Sequence, residues 1–310
     1  MKVFVAGAGG AIGRPVVRQL VGAGHEVVGT TRSVERAEAI REAGAEAVVC
    51  DVFDAEALRE AVVAAEPEVV LHALTALPQR FKPRSDYLAA TNRVRSEGTR
   101  NLVAAAKAAG ARRIVAESVA FFYEPEGEPV KVEEAPLFRD PPGRFAAARD
   151  ALAELEERVT GAEGLEGLVL RFGWLYGPGT HFGRDGSMAE ETLKRRNPVI
   201  GPGTGVFSFV HVDDAASAIL ATLARGSPGI YNVVDDEPVP QREWLPVYAA
   251  ALGARPPRRV PSWIARLVAG ADLVGTAVSM RGASNAKAKR ELGWEPARPS
   301  WRQGFAESLG

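Results

Sequence analysis

The opening stretch "KVFVAGAGGAIGRPVVRQL" constrains this chain more than any other. A β-branched apolar run ends in Gly7, Gly10 and Gly13 at three-residue spacing, and an amphipathic helical pattern begins at once. In a strand–turn–helix unit of this kind the first glycine permits the tight turn. The second lets the backbone approach an anion, and the third lets the helix lie close on the strand. The N–H groups at the helix start then face that anion. Glycines alone are common in turns, but these stand between a first strand and a first helix, where a pyrophosphate is the expected guest.

The rest of the first half keeps the same rhythm. "HEVVGTT", "EAVVCD", "EVVLHAL", "RRIVAES" and "LEGLVLRFG" are short apolar runs without strict alternation, separated by helical patterns such as "TRNLVAAAKAAG". Such runs suit strands covered on both faces, so the expected class is α/β with a doubly wound parallel sheet of the Rossmann type. After about residue 175 the rhythm breaks into Gly- and Pro-rich loops, "LYGPGTHFGRDGS" and "NPVIGPGTGVFSF". We therefore expect a dinucleotide-binding domain over 1–175 plus roughly 206–235. A small interlaced C-terminal α/β substrate lobe is expected over 176–205 and 236–310.

Composition narrows the function classes. The 310 residues carry 38 Lys and Arg against 39 Asp and Glu, so no net charge recruits nucleic acid or an anionic membrane. Cys50 is the sole cysteine, which excludes an intramolecular disulfide and argues against a cysteine-ligated metal. The four histidines are too scattered for metal-ligand spacing, and no metal is expected. The apolar start is too short for a signal peptide and no 18-residue apolar run follows, so a cytoplasmic location is the expectation.

The end of the second strand bears on the cofactor. A free ribose 2′-hydroxyl is usually met here by an acid. This chain has Thr30, Thr31, Arg32, Ser33 and Arg36 instead. Arg32 offers forked donors to a 2′-phosphate and Thr31 and Ser33 add hydroxyls, so NADP is expected rather than NAD. Asp51, after the third strand, is placed to accept from the adenine amino group.

Taken together, "GAGGAIG", "CDVFD", "GTRNLVAAA", "LRFGWLYGPG", "FSFVHVDDAASAI" and "NAKAKRELGW" resemble the extended short-chain dehydrogenase/reductase family of NAD(P)-dependent epimerases, dehydratases and reductases. The resemblance spans essentially the whole chain. It implies cofactor contacts from Ala11, Ile12, Val52, Ala73, Leu74, Thr75, Phe172 and Gly173 beside the glycines. It also implies a catalytic Ser after strand five and a Tyr-x-x-x-Lys on the next helix. There the Tyr exchanges a proton with the substrate, and the Lys holds the ribose and lowers the Tyr pKa from its usual value of about 10. Ser118 matches the Ser.

The Tyr-x-x-x-Lys slot reads "FAAAR": Phe145 stands for Tyr and Arg149 for Lys. Arg149 can still hold the ribose diol; the alternative is a salt bridge to a neighbouring acid. Phe145 cannot donate a proton. The family's Asn three residues before "GT" is also missing, with Arg95 in its place and Asn92 one turn earlier. Tyr123 is the first candidate for a substitute donor, or else a wall of the pocket. Tyr87, Tyr176 and His181 are weaker candidates, and His72 and His211 read as structural. Trp244, Trp263 and Trp294 are candidates to line an apolar pocket, with core packing the default. Asp213 and Asp214 are expected to cap a helix.

These residues point to an atypical NADP-dependent oxidoreductase acting on a small carbonyl, imine or activated alkene by hydride transfer. An NAD-dependent sugar epimerase or dehydratase is the alternative within enzymes, and a redox-inactive NADP sensor the alternative outside them. The expected partner is a small-molecule substrate, and the resemblance admits a homodimer.

Overall fold

The computed structural model describes residues 1–77, 87–143 and 145–309. Seven parallel strands form its main sheet: β1 (Lys2–Ala6), β2 (Glu26–Thr31), β3 (Glu46–Val49), β4 (Val69–His72), β5 (Arg113–Val119), β6 (Glu166–Phe172) and β7 (Gly229–Val233). Their spatial order is β7-β6-β5-β4-β1-β2-β3. The direction of winding reverses between β1 and β4, so a crevice opens at the carboxyl ends of those strands, where open α/β sheets bind ligands. The expected doubly wound fold is present.

Both faces of the sheet are covered, which is why its strands read as unbroken apolar runs. Val3, Val5, Leu71, Val115 and Leu170 pack with α1 (Gly13–Gly22), Ile40 of α2 (Val34–Glu42) and α8 (Val212–Ala221). Phe4, Val70, Ile114, Ala116 and Val169 face α3 (Ala55–Ala65), α5 (Thr99–Ala108) and α6 (Phe145–Thr160). Before α5, α4 (Tyr87–Arg93) runs into a wider π turn over Val94–Gly98. Such insertions re-aim side chains and recur at functional sites; this one carries Arg95.

A second core is built around aromatic residues. Tyr176, Phe182, Phe207, Phe209, Trp244, Tyr248, Trp301 and Phe305 meet there, mostly in edge-to-face pairs about 5–6 Å apart, with Val199, Val239, Leu245 and Leu309 packed among them. It joins the loop after β6 and α7 (Ser187–Leu193) to α9 (Gln241–Ala251) and α12 (Trp301–Leu309). Gly304 lets α12 approach, since a Cβ there would stand 1.8 Å from the Tyr176 hydroxyl. The two parts of the chain are laced together in both directions. Phe207 and Phe209 precede α8 yet belong to the aromatic core, whereas Leu292 and Trp294 return to pack beneath the main sheet. Trp244 and Trp294 are thus core residues. Trp263, on α10 (Ser262–Ala269) ahead of α11 (Ala271–Ser279), is 66% exposed.

The helix cap expected of the Asp213–Asp214 pair is made by His211 instead. Its Nδ1 accepts from the Asp213 N–H, and Asp214 holds the backbone N–H groups of Ala297 and Arg298. His72 is structural, bonded through Nε2 to Thr99. No helix among the described residues is long and apolar enough to cross a membrane.

Candidate active site

A cleft at the carboxyl ends of β1, β2 and β4 brings together Gly7, Gly10, Thr31, Arg32, Arg36, Asp51, Val52, Ala73, Leu74 and Thr75. Its geometry explains the glycines. Gly7 has φ +93°, and a Cβ there would lie 2.3 Å from the Ala73 carbonyl oxygen. A Cβ on Gly13 would lie 2.1 Å from the Gly7 oxygen, so only glycine seats α1 on the β1 turn. Gly10 meets nothing closer than 3.1 Å, leaving bare backbone toward the cleft. At the β2 end neither Arg32 nor Arg36 is ion-paired among the described residues. Ser33 is differently employed: its hydroxyl caps α2 by accepting from the Arg36 N–H and donates to Glu35. Asp51 spends one carboxylate oxygen on the Phe53 N–H.

Through Ala73 and Thr75 the cleft adjoins a cavity of about 170 Å³. Ala11, Ile12, Phe172 and Gly173 border it, as do Phe121, Trp174, Thr180, His181 and Phe182. Phe121 and Trp174 stack, 4.1 Å between centroids and 15° from parallel. The residues present fit a nicotinamide dinucleotide: a bare-backbone cradle, two unpaired guanidinium groups at one end, and an apolar chamber at the other.

Three expected site residues are engaged with other partners. Ser118 borders the cavity, but along β5 it shares the side of Ile114 and Ala116, facing α6. Its Oγ donates to Glu156 Oε1 at 2.7 Å, so the hydroxyl is not offered to a substrate. Tyr123 is buried; its hydroxyl donates to Asn232 Oδ1 at 2.6 Å and accepts from Arg171 at 2.9 Å. Burial raises its pKa, the reverse of what a proton donor near neutrality needs. Arg149 pairs with Asp150 at 2.6 Å, donates to the Arg139 carbonyl, and is not among the residues lining the cavity. Arg171 explains the first two placements. It makes a buried bidentate pair with Glu156, at 2.8 and 2.5 Å, and draws Ser118 and Tyr123 into one network.

Phe145 packs against Phe122, with ring centroids 6.5 Å apart, beside Ala148 and Leu152. It does not close over the chamber. His181 does line the chamber, but its Nδ1 is bonded to Ser187 and burial lowers its pKa to about 4, so it is neutral at pH 7.

The charged groups of the cavity are Glu117 and Arg95. On β5, Glu117 shares the side of Val115, opposite Ser118. It also borders a small void under Leu71, Val115, Leu170, Phe172 and Ile219. Enclosure among these apolar side chains raises its pKa to about 7 despite the opposing influence of Arg95. Arg95 makes no direct ion pair or hydrogen bond among the described residues, and burial pulls its pKa down to about 10. Sequence reading noted Arg95 only as a departure and passed over Glu117. The available signal was parity: in a strand with Ile114 and Ala116 on one face, Glu117 and not Ser118 points the other way.

Known proteins agree with this architecture. A 3-diazoavenalumate denitrifying reductase from a Streptomyces species is 48% identical over 98% of this chain and 99% of its own length. A 2-alkyl-3-oxoalkanoate reductase from Stenotrophomonas maltophilia is 27% identical over 82% of this chain and 76% of its own. The crystal structure of UDP-glucose 4-epimerase from Thermotoga maritima, with UDP-glucose, superposes with a TM-score of 0.79. It covers all of this chain and 97% of that one at 22% identity, and so speaks for the fold. The family model described as "NAD dependent epimerase/dehydratase family" matches residues 3–233, from β1 through β7. With the glycine cradle, the adjoining chamber and a 48% identical reductase in agreement, the chain belongs to the NAD-dependent epimerase/dehydratase family, as an NAD(P)-dependent oxidoreductase.

Proposed function

We propose that this protein is an NADP-dependent reductase that removes the diazo group of a flat, conjugated acid as dinitrogen. The observation that carries the reading is the chamber itself, aromatic-walled and with no tyrosine on its described lining; by the resemblance, Phe145 stands where the family keeps its proton donor. A carbonyl reduced by hydride needs a proton on oxygen, and Phe145 cannot supply one. A diazo group reacting in its diazonium form, R–N₂⁺, does not share that need. When bound, a reduced nicotinamide supplies a hydride. Added to the terminal nitrogen of R–N₂⁺, it gives R–N=N–H. Loss of N₂ then leaves that hydrogen on carbon, and charge and atoms balance without any side-chain acid.

The name of the 48% identical relative, a denitrifying reductase of a diazo carboxylate, supports the same chemistry. Within the chain, Gly7, Gly10 and Gly13 would shape the pyrophosphate site. Thr31, Arg32 and Arg36 would meet the 2′-phosphate, Asp51 the adenine, and Ile12, Thr75, Phe172 and Gly173 the nicotinamide end. The stacked Phe121 and Trp174 would hold a planar substrate and exclude water, which favours collapse to R–H over side reactions.

The test is NADPH oxidation by purified protein with a conjugated diazo acid and, separately, with ketones of similar shape. We expect one N₂ released per NADPH consumed and little turnover of the ketones. A protein that turns over the ketones and leaves the diazo acid untouched overturns the reading.

A further inference from the structure

We propose that Glu117 is a charge-sensing group facing the nicotinamide end of the site, protonated beside the reduced ring and ionised beside the oxidised one. The inference rests on the nicotinamide reading of the chamber and not on the identity of the substrate.

Placement is the first argument. Glu117 borders the chamber together with Ile12, Thr75, Phe172 and Gly173, the residues assigned to the nicotinamide end, and these residues offer no charge of their own. It is the one carboxyl on the chamber's described lining. The second argument is what surrounds it. From β4 it meets Leu71 and His72, and burial lowers the His72 pKa to about 4, so that ring is uncharged at neutral pH. From β6 it meets Leu170 and Phe172, from α8 Ile219, and from its own strand Val115. The π turn after α4 contributes Arg95, the cation that acts on it. A carboxyl so enclosed titrates where a single new charge decides its state, and the two forms of the ring differ by one positive charge.

Linkage fixes the sign. A cationic ring lowers the pKa of Glu117 and a neutral ring leaves it high. Between those two values the complex with oxidised cofactor holds fewer protons, so its affinity relative to the reduced form rises with pH. Glu117 releases its proton to the solvent of the cavity when the neighbouring ring becomes cationic, and the resulting ion pair favours hydride donation.

The experiment is equilibrium binding of NADP⁺ and NADPH, with no substrate present, to wild-type protein and to Glu117→Gln. Titration of the 2′-phosphate is common to both forms of the cofactor and cancels in the ratio of dissociation constants. In the wild type the ratio Kd(NADP⁺)/Kd(NADPH) is expected to fall about tenfold from about pH 6 to about pH 8, one pKa unit of coupling. In Glu117→Gln it is expected to stay flat. Glu117→Asp, which keeps the carboxyl, is expected to retain a slope and serves if the Gln variant does not fold. A flat ratio in the wild type overturns the inference, as does an unchanged slope in Glu117→Gln. Failure of the wild type to bind either form overturns the nicotinamide reading beneath it.

Discussion

Glu156 receives Ser118 at 2.7 Å and Arg171 at 2.5 and 2.8 Å in the buried space between β5, β6 and α6. A buried carboxylate needs this many donors, because an unpaired one costs several kcal/mol. The hydroxyls of Ser118 and Tyr123 are therefore structural, and this gives a test. Tyr123→Phe and Ser118→Ala should each lower unfolding stability by about 1–3 kcal/mol, the cost of an unsatisfied buried partner. Both should leave kcat/KM within about threefold. Chemical denaturation and steady-state kinetics on the same samples check this; a loss of kcat of a hundredfold or more in Tyr123→Phe, with stability kept, would restore it as the proton donor. Arg149 and Phe145 could be located from the sequence because α6 is strongly periodic. The Tyr123–Asn232 bond spans 109 residues of chain, and no local pattern announces it.

At the scale of elements the first β–α unit was legible almost atom by atom, since each glycine answers a local steric demand. Gly13→Ala places a methyl group 2.1 Å from the Gly7 oxygen and so forces α1 off β1. Cofactor binding should be lost, and thermal denaturation should report a lower midpoint. The end of β2 was legible as chemistry. Arg32→Glu should weaken NADPH binding by about tenfold or more while leaving NADH within about threefold, because a charge-assisted contact to the 2′-phosphate becomes repulsive. Equal losses for both cofactors would remove the 2′-phosphate role of Arg32. β5 was read less well. Its Ser was matched by motif, whereas strand parity assigns the chamber-facing position to Glu117. The π turn that carries Arg95 left no compositional mark, because the widening is a backbone event.

Across the whole molecule the chamber lies where two cores meet. One is the aliphatic core of the sheet; the other is the aromatic core built from segments on both sides of β7. The sequence announced a sheet and a lobe laced into it, but not that Phe207 and Phe209 would cross to the lobe while Leu292 and Trp294 returned to the sheet. That interlacing sets Trp174 against Phe182 and Phe207, and so fixes the aromatic part of a chamber that Ile12 and Phe172 also line. A wall of that kind suits a flat substrate, as the proposed reduction of a conjugated diazo acid requires.

The most direct measurement of this claim follows the transferred hydrogen, using NADPH deuterated at nicotinamide C4 and a conjugated diazo acid in ordinary water. The account predicts N₂ release and a product carrying one deuterium on the carbon that held the diazo group. A product that retains its nitrogen, or that loses N₂ and carries no deuterium from the cofactor, would contradict it.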